Sequence, residues 1–265
     1  MPEGPEAKYL ELMMRQEVLG MKFNKITSNT KTTKNIPSAA KIIDTGSKGK
    51  ILWLKTKKYW VHLHMGLTGW LVFDKPRIYK YILHFRDQDG EKFDVYLADR
   101  RRFSRIDIFT TDKTHKNALN KIGICLFCSE FTVDKFKELM GNSKRNISAF
   151  LLDQKKFAGI GNYIRNDALY IAKISPKRKL HQLNDQEINK LYQAIKYIVY
   201  SSLYTWLKDD KIPIPAYIKK LAPKKLNVPY QMKVYDQEFD PSGREVKFIK
   251  NYAGRRTFYV PSIQK

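Results

Sequence analysis

The chain has 265 residues, 43% hydrophobic and 13% aromatic, which suffices to bury a core in one large domain or two ordinary ones and is too apolar for a disordered chain. Its 50 lysines and arginines outnumber its 26 aspartates and glutamates by 50 − 26 = 24, a self-repelling excess that a polyanion would offset; nucleic acid is the leading partner, against general solubility or a codon-biased genome. Only Cys125 and Cys128 occur, no apolar run is long enough to span a bilayer, and the acidic start MPEGPE is no secretory leader, so a disulfide scaffold, membrane insertion and secretion are all excluded as expectations.

Residues 5–19 set Tyr9, Leu10, Met13 and Met14 at helical spacing, with Pro5 in the first turn and Gly20 just past the end, so a helix is expected almost at once. From about 21 to 110 the pattern turns to short alternating or wholly apolar runs. Strands are predicted at 50–56, 59–65, 70–73, 80–85 and 93–97, with Asp89 and Gly90 as a hairpin signal between the last two. This reads as two packed sheets with a helix at their start. A polar stretch at 110–120 follows, then predicted helices at 132–140, 146–154 and 162–172. A longer helix is capped by Asn184 with Glu187 and carries the stripe Ile188, Leu191, Ile195, Ile198, Val199 and Leu203. The proline- and lysine-rich stretch 209–229 reads as a loop. Beyond it, MKVYDQEF and RTFYVPSI flank a Ser-Gly turn and suggest a terminal hairpin. There is no internal repeat.

The densest chemistry lies at the extreme N-terminus. If Met1 is removed, Pro2 becomes a secondary amine with Glu3 and Glu6 beside it. An α-amino group titrates near 8, well below a lysine, so a useful fraction is free to attack an electrophilic carbon and form an iminium, while Glu3 is placed to act as general acid. The plainer alternative is that Pro-Glu-Gly-Pro-Glu only starts a helix. Three further segments favour the chemical reading. In LLDQKKFAGIGNYIRNDALY (151–170) a Gly-Ile-Gly-Asn turn lets the backbone approach a phosphate at a helix N-terminus. ADRRRFSR (98–105) sets four arginines around Phe103, suited to phosphates and an aromatic wedge. GRRTFYVPSIQK (254–265) ends the chain with a second arginine pair.

MPEGPE, KGK at 48–50, HMGLTG at 64–69, DRRRF at 99–103, LLDQ with GIGN at 151–162 and GRRTFYVP at 254–261 stand in the order of the formamidopyrimidine-DNA glycosylase and endonuclease VIII family, which the chain resembles over its whole length. The resemblance implies an α+β fold of two domains, an N-terminal β-sandwich with a flanking helix and a C-terminal helix-two-turn-helix domain with a zincless β-hairpin finger. The expected boundaries are 1–125, 126–230 and 231–265. It implies a bifunctional glycosylase and abasic-site lyase of base excision repair that removes oxidised pyrimidines and ring-opened purines through a Pro2 Schiff base and β,δ-elimination. By motif position Glu3 helps open the sugar, Lys50 assists β-elimination and holds phosphate, Asn162 and Arg255 grip phosphate, and Arg255 is tied to δ-elimination. Glu6 and His64 belong to the DNA-contacting set, and Leu67, Arg101 and Phe103 fill the void left by the extruded base.

The chain departs from the family pattern where many members carry zinc-binding cysteines: Val260 and Ile263 stand there, which resembles the zincless endonuclease VIII-like branch. Cys125 and Cys128 form a CxxC without a second pair and are read as two buried small hydrophobes. His62 and His64 share a predicted strand face but lack a third ligand, so no metal is expected, and the implied chemistry needs no redox or nucleotide cofactor. The expected partner is damaged DNA, double- or single-stranded, met by a monomer inside the cell at a nucleus, nucleoid or viral replication site. The alternatives are a non-catalytic damaged-DNA or RNA-binding protein on the same scaffold and a glycosylase without lyase activity.

Overall fold

The computed structural model describes residues 2–29, 35–252 and 254–265; Met1, whose removal the sequence reading requires, lies outside them. The chain divides into two compact units, residues 1–121 and 122–265.

The first unit opens with α1 (Gly4–Val18) and continues through β1 (Lys22–Ser28), β2 (Ala40–Lys48), β3 (Ile51–Thr56), β4 (Trp60–His64), β5 (Trp70–Val72), β6 (Tyr81–Arg86), β7 (Lys92–Ala98) and β8 (Arg105–Phe109) to α2 (Asp112–Asn120). The strands pair antiparallel in the order β5-β7-β6-β1-β2-β3-β4-β8. β1 and β2 meet only at Lys22↔Lys41 and Phe23↔Ala40, so the sheet folds over there into a β-sandwich of two four-stranded halves. Period-two alternation sends Leu52 and Leu54 from β3, Tyr81, Leu83 and Phe85 from β6, and Val95 and Leu97 from β7 inward. α1 adds Leu10, Met14 and Val18 to the core, each such side chain contributing about 1.5–3 kcal/mol.

Residues 4–14 of α1 are all buried, and the charges of Lys8 and Glu11 there are paired. Lys8 Nζ donates to Glu11 Oε2 at 2.8 Å, and the Thr45 hydroxyl on β2 donates to Glu11 Oε1 at 2.7 Å. Helix α2, by contrast, falls in the stretch read from sequence only as polar. His115 is its one buried residue, and it holds together through the Thr111 cap, whose hydroxyl accepts from the Thr114 N–H, not through an apolar stripe.

The second unit contains β9 (Ile124–Cys125), α3 (Val133–Met140), α4 (Ile147–Leu151), β10 (Phe157–Ala158), α5 (Asn162–Ile171), α6 (Asp185–Asp209), α7 (Ala216–Leu221), β11 (Lys247–Tyr252) and β12 (Arg255–Tyr259). Phe131, Phe136, Phe150 and Phe157 form its aromatic centre with Tyr192 of α6. The capping box at Asn184 and Glu187 forms as expected, and Leu191, Ile195, Ile198, Val199 and Leu203 are buried, while Ile188 stays half-exposed.

The boundary expected after residue 125 falls four residues earlier, because Gly123 and Ile124 already donate to the carbonyls of Gln154 and Lys156. The segment from 231 is not a body apart either. Asp167 on α5 accepts from the Tyr230 hydroxyl at 2.6 Å and from the backbone N–H groups of Lys233, Val234 and Tyr235. MKVYDQEF is not a strand; the hairpin is β11 with β12. Nor is 209–229 a featureless loop. Its prolines flank α7 instead of breaking it, Pro215 standing at the N-cap and Pro223 beyond the end, with Ile218 fully buried. Cys125 is buried but Cys128 is exposed, so the CxxC is not a buried pair. Among the described residues, no helix is long and apolar enough to cross a membrane.

Candidate functional site

The direction of α1 follows from its contacts. Gly20 and Met21 bond to Ile42, Arg15 donates to Asp44 at 2.6 Å, and Glu11 meets Thr45, so α1 runs antiparallel to β2. From Glu11 back to Glu3 the helix rises about 12 Å, and from Thr45 to Lys48, where the turn carrying Lys50 begins, the strand advances about 10 Å. Pro2 and Lys50 therefore lie near one end of the sandwich. The β3–β4 register puts His64 opposite Ile51, and the β4–β8 register puts Arg105 opposite His64. The loops 65–69 and 99–104 emerge at that same pole.

Pro2 is buried immediately before the helix cap. Glu3 is wholly buried, and its backbone N–H donates to Glu6 Oε2 at 2.8 Å. Glu6, expected among the DNA-contacting residues, is thus buried and engaged in holding the first turn. Lys50 is half-buried in the β2–β3 turn, where Gly49 takes φ +59°. His64 Nε2 lies 3.0 Å from Asp107 Oδ2 and within reach of the Arg105 guanidinium. Burial first, and then Arg105, hold its pKa below the ordinary histidine value, with Asp107 opposing.

The three void-filling candidates come from two loops that the fold locks together. Asp99, almost fully buried, accepts from the Thr68 hydroxyl at 2.5 Å and from the backbone N–H groups of Arg101 at 3.2 Å and Ser104 at 2.6 Å. Burial alone would raise the Asp99 carboxyl, but these donors outweigh it and hold the group below the usual carboxylate range. Lys80 donates to the carbonyls of Arg102 at 2.9 Å and Ser104 at 2.6 Å. The bonds from Asp99 and Lys80 keep Arg102 in the left-handed region at φ +56°, a conformation costing a non-glycine residue about 1–2 kcal/mol. Any side chain at Gly66, φ +60°, would strike the Phe103 backbone at 2.9 Å. Leu67 is half-buried, whereas Arg101 and Phe103 are exposed, with the guanidinium 5.1 Å from the Phe103 ring centroid. Asp99, Lys80 and Thr68 hold these two loops in place, a use that sequence reasoning missed. Asp99 stands in the DRRRF motif, but only its fold partners show its use.

The second unit presents the phosphate-gripping candidates. Gln154 of LLDQ clasps the GIGN turn: its amide donates to Ile160 O at 2.7 Å and its carbonyl accepts from Gly159 N–H at 3.0 Å. α5 then starts behind Gly161 with no acid in its first turn, and its first residues are buried. The Asn162 amide donates to Arg256 O at 3.1 Å, so this side chain grips the hairpin itself. Fully buried Arg165 donates to Asn162 Oδ1, Asn166 Oδ1 and Arg256 O. The hairpin strand beside Asn162 carries Arg255, which is exposed. Val260 is packed with Val234, Val246 and Phe258, and Ile263 lies against that cluster. The Asp240 carboxylate accepts from the backbone N–H groups of Ser242 and Arg244, from Arg244 Nε and from the Tyr170 hydroxyl. Apolar packing and this knot fix the hairpin at positions where the sequence resemblance would have put metal ligands.

His62 pairs with His115. Its Nε2 lies 2.8 Å from His115 Nδ1, and His115 stacks on Trp60 with ring centroids 3.5 Å apart. Burial, with His115 and His64 nearby, lowers the His62 pKa from 6.5 to about 3, and burial lowers His115 as well. Because these folded-state values lie below the unfolded one, the neutral pair contributes fully above about pH 6.5, and stability is lost as pH falls from there towards about 3. Unfolding of the first unit should therefore take up protons between about pH 6.5 and pH 5, above the range where carboxylates titrate. A pH-independent unfolding free energy across that window would contradict a neutral buried pair.

Two family models match the chain, the formamidopyrimidine-DNA glycosylase N-terminal domain over residues 1–106 and the formamidopyrimidine-DNA glycosylase H2TH domain over residues 123–207. The formamidopyrimidine-DNA glycosylase of Rickettsia conorii is 27% identical over 286 residues, covering 100% of this chain and 99% of that protein, and the one of Arabidopsis thaliana is 26% identical, covering 100% of this chain and 71% of its own length. Among solved structures, MutM (Fpg) of Thermus thermophilus superimposes with a TM-score of 0.78 at 24% identity, covering 99% of this chain and 98% of that one. The Lactococcus lactis Fpg in complex with DNA containing an abasic site gives 0.79 at 24% identity, covering 99% of each chain.

Proposed function

Since the chain belongs to the formamidopyrimidine-DNA glycosylase and endonuclease VIII family and is a DNA glycosylase of base excision repair, we propose that it works through the N-terminal amine of Pro2 as a combined glycosylase and abasic-site lyase. The observation that carries this reading is the convergence, at one pole of the sandwich, of the start of α1, the Lys50 turn and the two interlocked loops with Leu67, Arg101 and Phe103. An extruded nucleotide needs those three things together: an amine at its sugar, cations at its phosphates and side chains in the gap it leaves.

In the proposed sequence the Pro2 lone pair bonds to C1′ as the damaged base departs with the glycosidic electron pair and a proton. Glu3 protonates the ring oxygen, the sugar opens, and the nitrogen lone pair completes an iminium. That cation acidifies C2′. Loss of a C2′ proton to a base, with Lys50 assisting, expels the 3′-phosphate, and a second elimination expels the 5′-phosphate. Water then hydrolyses the iminium and frees the amine. Oxidised pyrimidines and ring-opened purines in duplex or single-stranded DNA are the proposed substrates, and the protein acts as a monomer without a metal. The packed hairpin cluster around Val260 supports the zincless assignment.

Arg255 has an exposed guanidinium outside every ion pair among the described residues, which suits a phosphate contact. Arg255→Ala should lower the slope of log affinity against log salt by about 1. An unchanged slope would remove Arg255 from the interface. The enzyme as a whole is tested by nicking of abasic duplex: base release without strand cleavage would leave a glycosylase alone, and binding without either would leave a damage-binding protein.

A further inference from the structure

The proposed chemistry uses one end of the N-terminal sandwich, while a cavity of about 410 Å³ opens at the other. It lies where β3 turns into β4, lined by Lys55, Lys57, Lys58, Trp60 and Asp112 among others. β3 runs from the Lys50 turn at one end to this cavity at the other, about 17 Å away. Lys113 and Lys116 follow on α2, the helix that begins at the cavity rim. Among the described residues none of these five lysines forms an ion pair with a carboxylate; Lys58 meets only the Ser38 hydroxyl, at 3.3 Å. Among the described lining residues Asp112 is the acid; its Oδ1 accepts from Trp60 Nε1 at 2.8 Å, and its single charge offsets one of the lysines.

Three lysines lining one opening, with Lys113 and Lys116 on the adjoining helix, repel each other, and the repulsion is relieved by a ligand with several negative charges at chain-like spacing. Trp60 offers no open ring for base stacking: His115 covers it at 3.5 Å, and Lys55 Nζ lies 4.4 Å from its centroid. The surface is therefore suited to phosphates and not to bases. We propose that this lysine-lined cavity is a second nucleic-acid site, which takes the phosphate backbone of a DNA segment other than the one held at the Lys50 pole, without regard to sequence. The site goes beyond the glycosylase reading and does not depend on Pro2 chemistry.

The test uses the full chain, fixed by borohydride on a short abasic duplex so that the first site is filled, and then titrated with long undamaged duplex. The adduct should bind the second DNA, with amide shifts at residues 55–60 and a strong salt dependence. Lys57→Gln with Lys58→Gln, both exposed, should lower the salt slope of this second event by about 2 and leave nicking of the short duplex unchanged. Absence of a second binding event in the wild-type adduct overturns the proposal, as does an unchanged slope in the variant. Equal loss on the short duplex overturns it too, because the lysines would then belong to the lesion footprint. Shifts at 55–60 that saturate with inorganic phosphate and are indifferent to duplex would mark a small-anion site instead. Failure to form the borohydride adduct at all counts against the Pro2 mechanism; in that event the titration is run on the free protein with the same outcomes.

Discussion

A chain that keeps Met1 is expected to leave no borohydride-trapped adduct on abasic DNA above the level of a no-enzyme control. The reason is electronic. With methionine attached, the Pro2 nitrogen belongs to a peptide bond, and its lone pair is delocalised into the carbonyl with partial double-bond character. Freed of methionine it is a secondary amine whose lone pair is available to attack carbon. Extending the chain ahead of Pro2, so that its nitrogen stays in a peptide bond, tests this with Pro2 and α1 unchanged. Pro2→Gly tests a subtler point. Glycine leaves a primary amine, whose imine can shed its proton and lose the positive charge that acidifies C2′, whereas the proline iminium has no such proton. Trapping and β-elimination should both fall. Mass spectrometry of the active enzyme gives the complementary check, because an active protein still bearing Met1 is incompatible with the mechanism.

Glu3→Gln should slow excision of a damaged base by about 10²- to 10⁴-fold, the usual contribution of a positioned general acid. The exchange keeps the shape of a wholly buried side chain at the helix start and removes only its ability to deliver a proton. A preformed abasic site already opens its sugar to some extent, so nicking of abasic DNA should survive much better than base release. That split separates the two explanations of Glu3. If it were only a helix cap, both activities would fall together with the melting temperature, since losing a cap costs about 1 kcal/mol.

Charge excess, the helix at the start, the alternating β region, the capping box at Asn184 and the arginine-rich termini of two loops were legible in the residues because each depends on near neighbours. Periodicity failed where burial was not the organising force. α2 buries only His115, so it shows no stripe, and α7 hides among prolines that in fact delimit it. The domain boundary moved for a similar reason: the hydrogen bonds that bind Gly123 and Ile124 to the second unit come from residues thirty positions away.

By itself the sequence determined a basic chain with a proline and two carboxylates near its start and a glycine turn suited to phosphate, since these rest on composition and local backbone chemistry. Only the tertiary structure decided how the parts are held. Asp99 reaches back to Thr68, Lys80 reaches forward to Arg102 and Ser104, and Asn162 turns to a hairpin carbonyl. It also set His62 against His115 and gathered the lysines around the far cavity. Such contacts join residues about 20 to 95 positions apart. A polar side chain far from its partner carries no local periodicity to announce it, yet once buried it must find one, and the fold alone brings the two within reach.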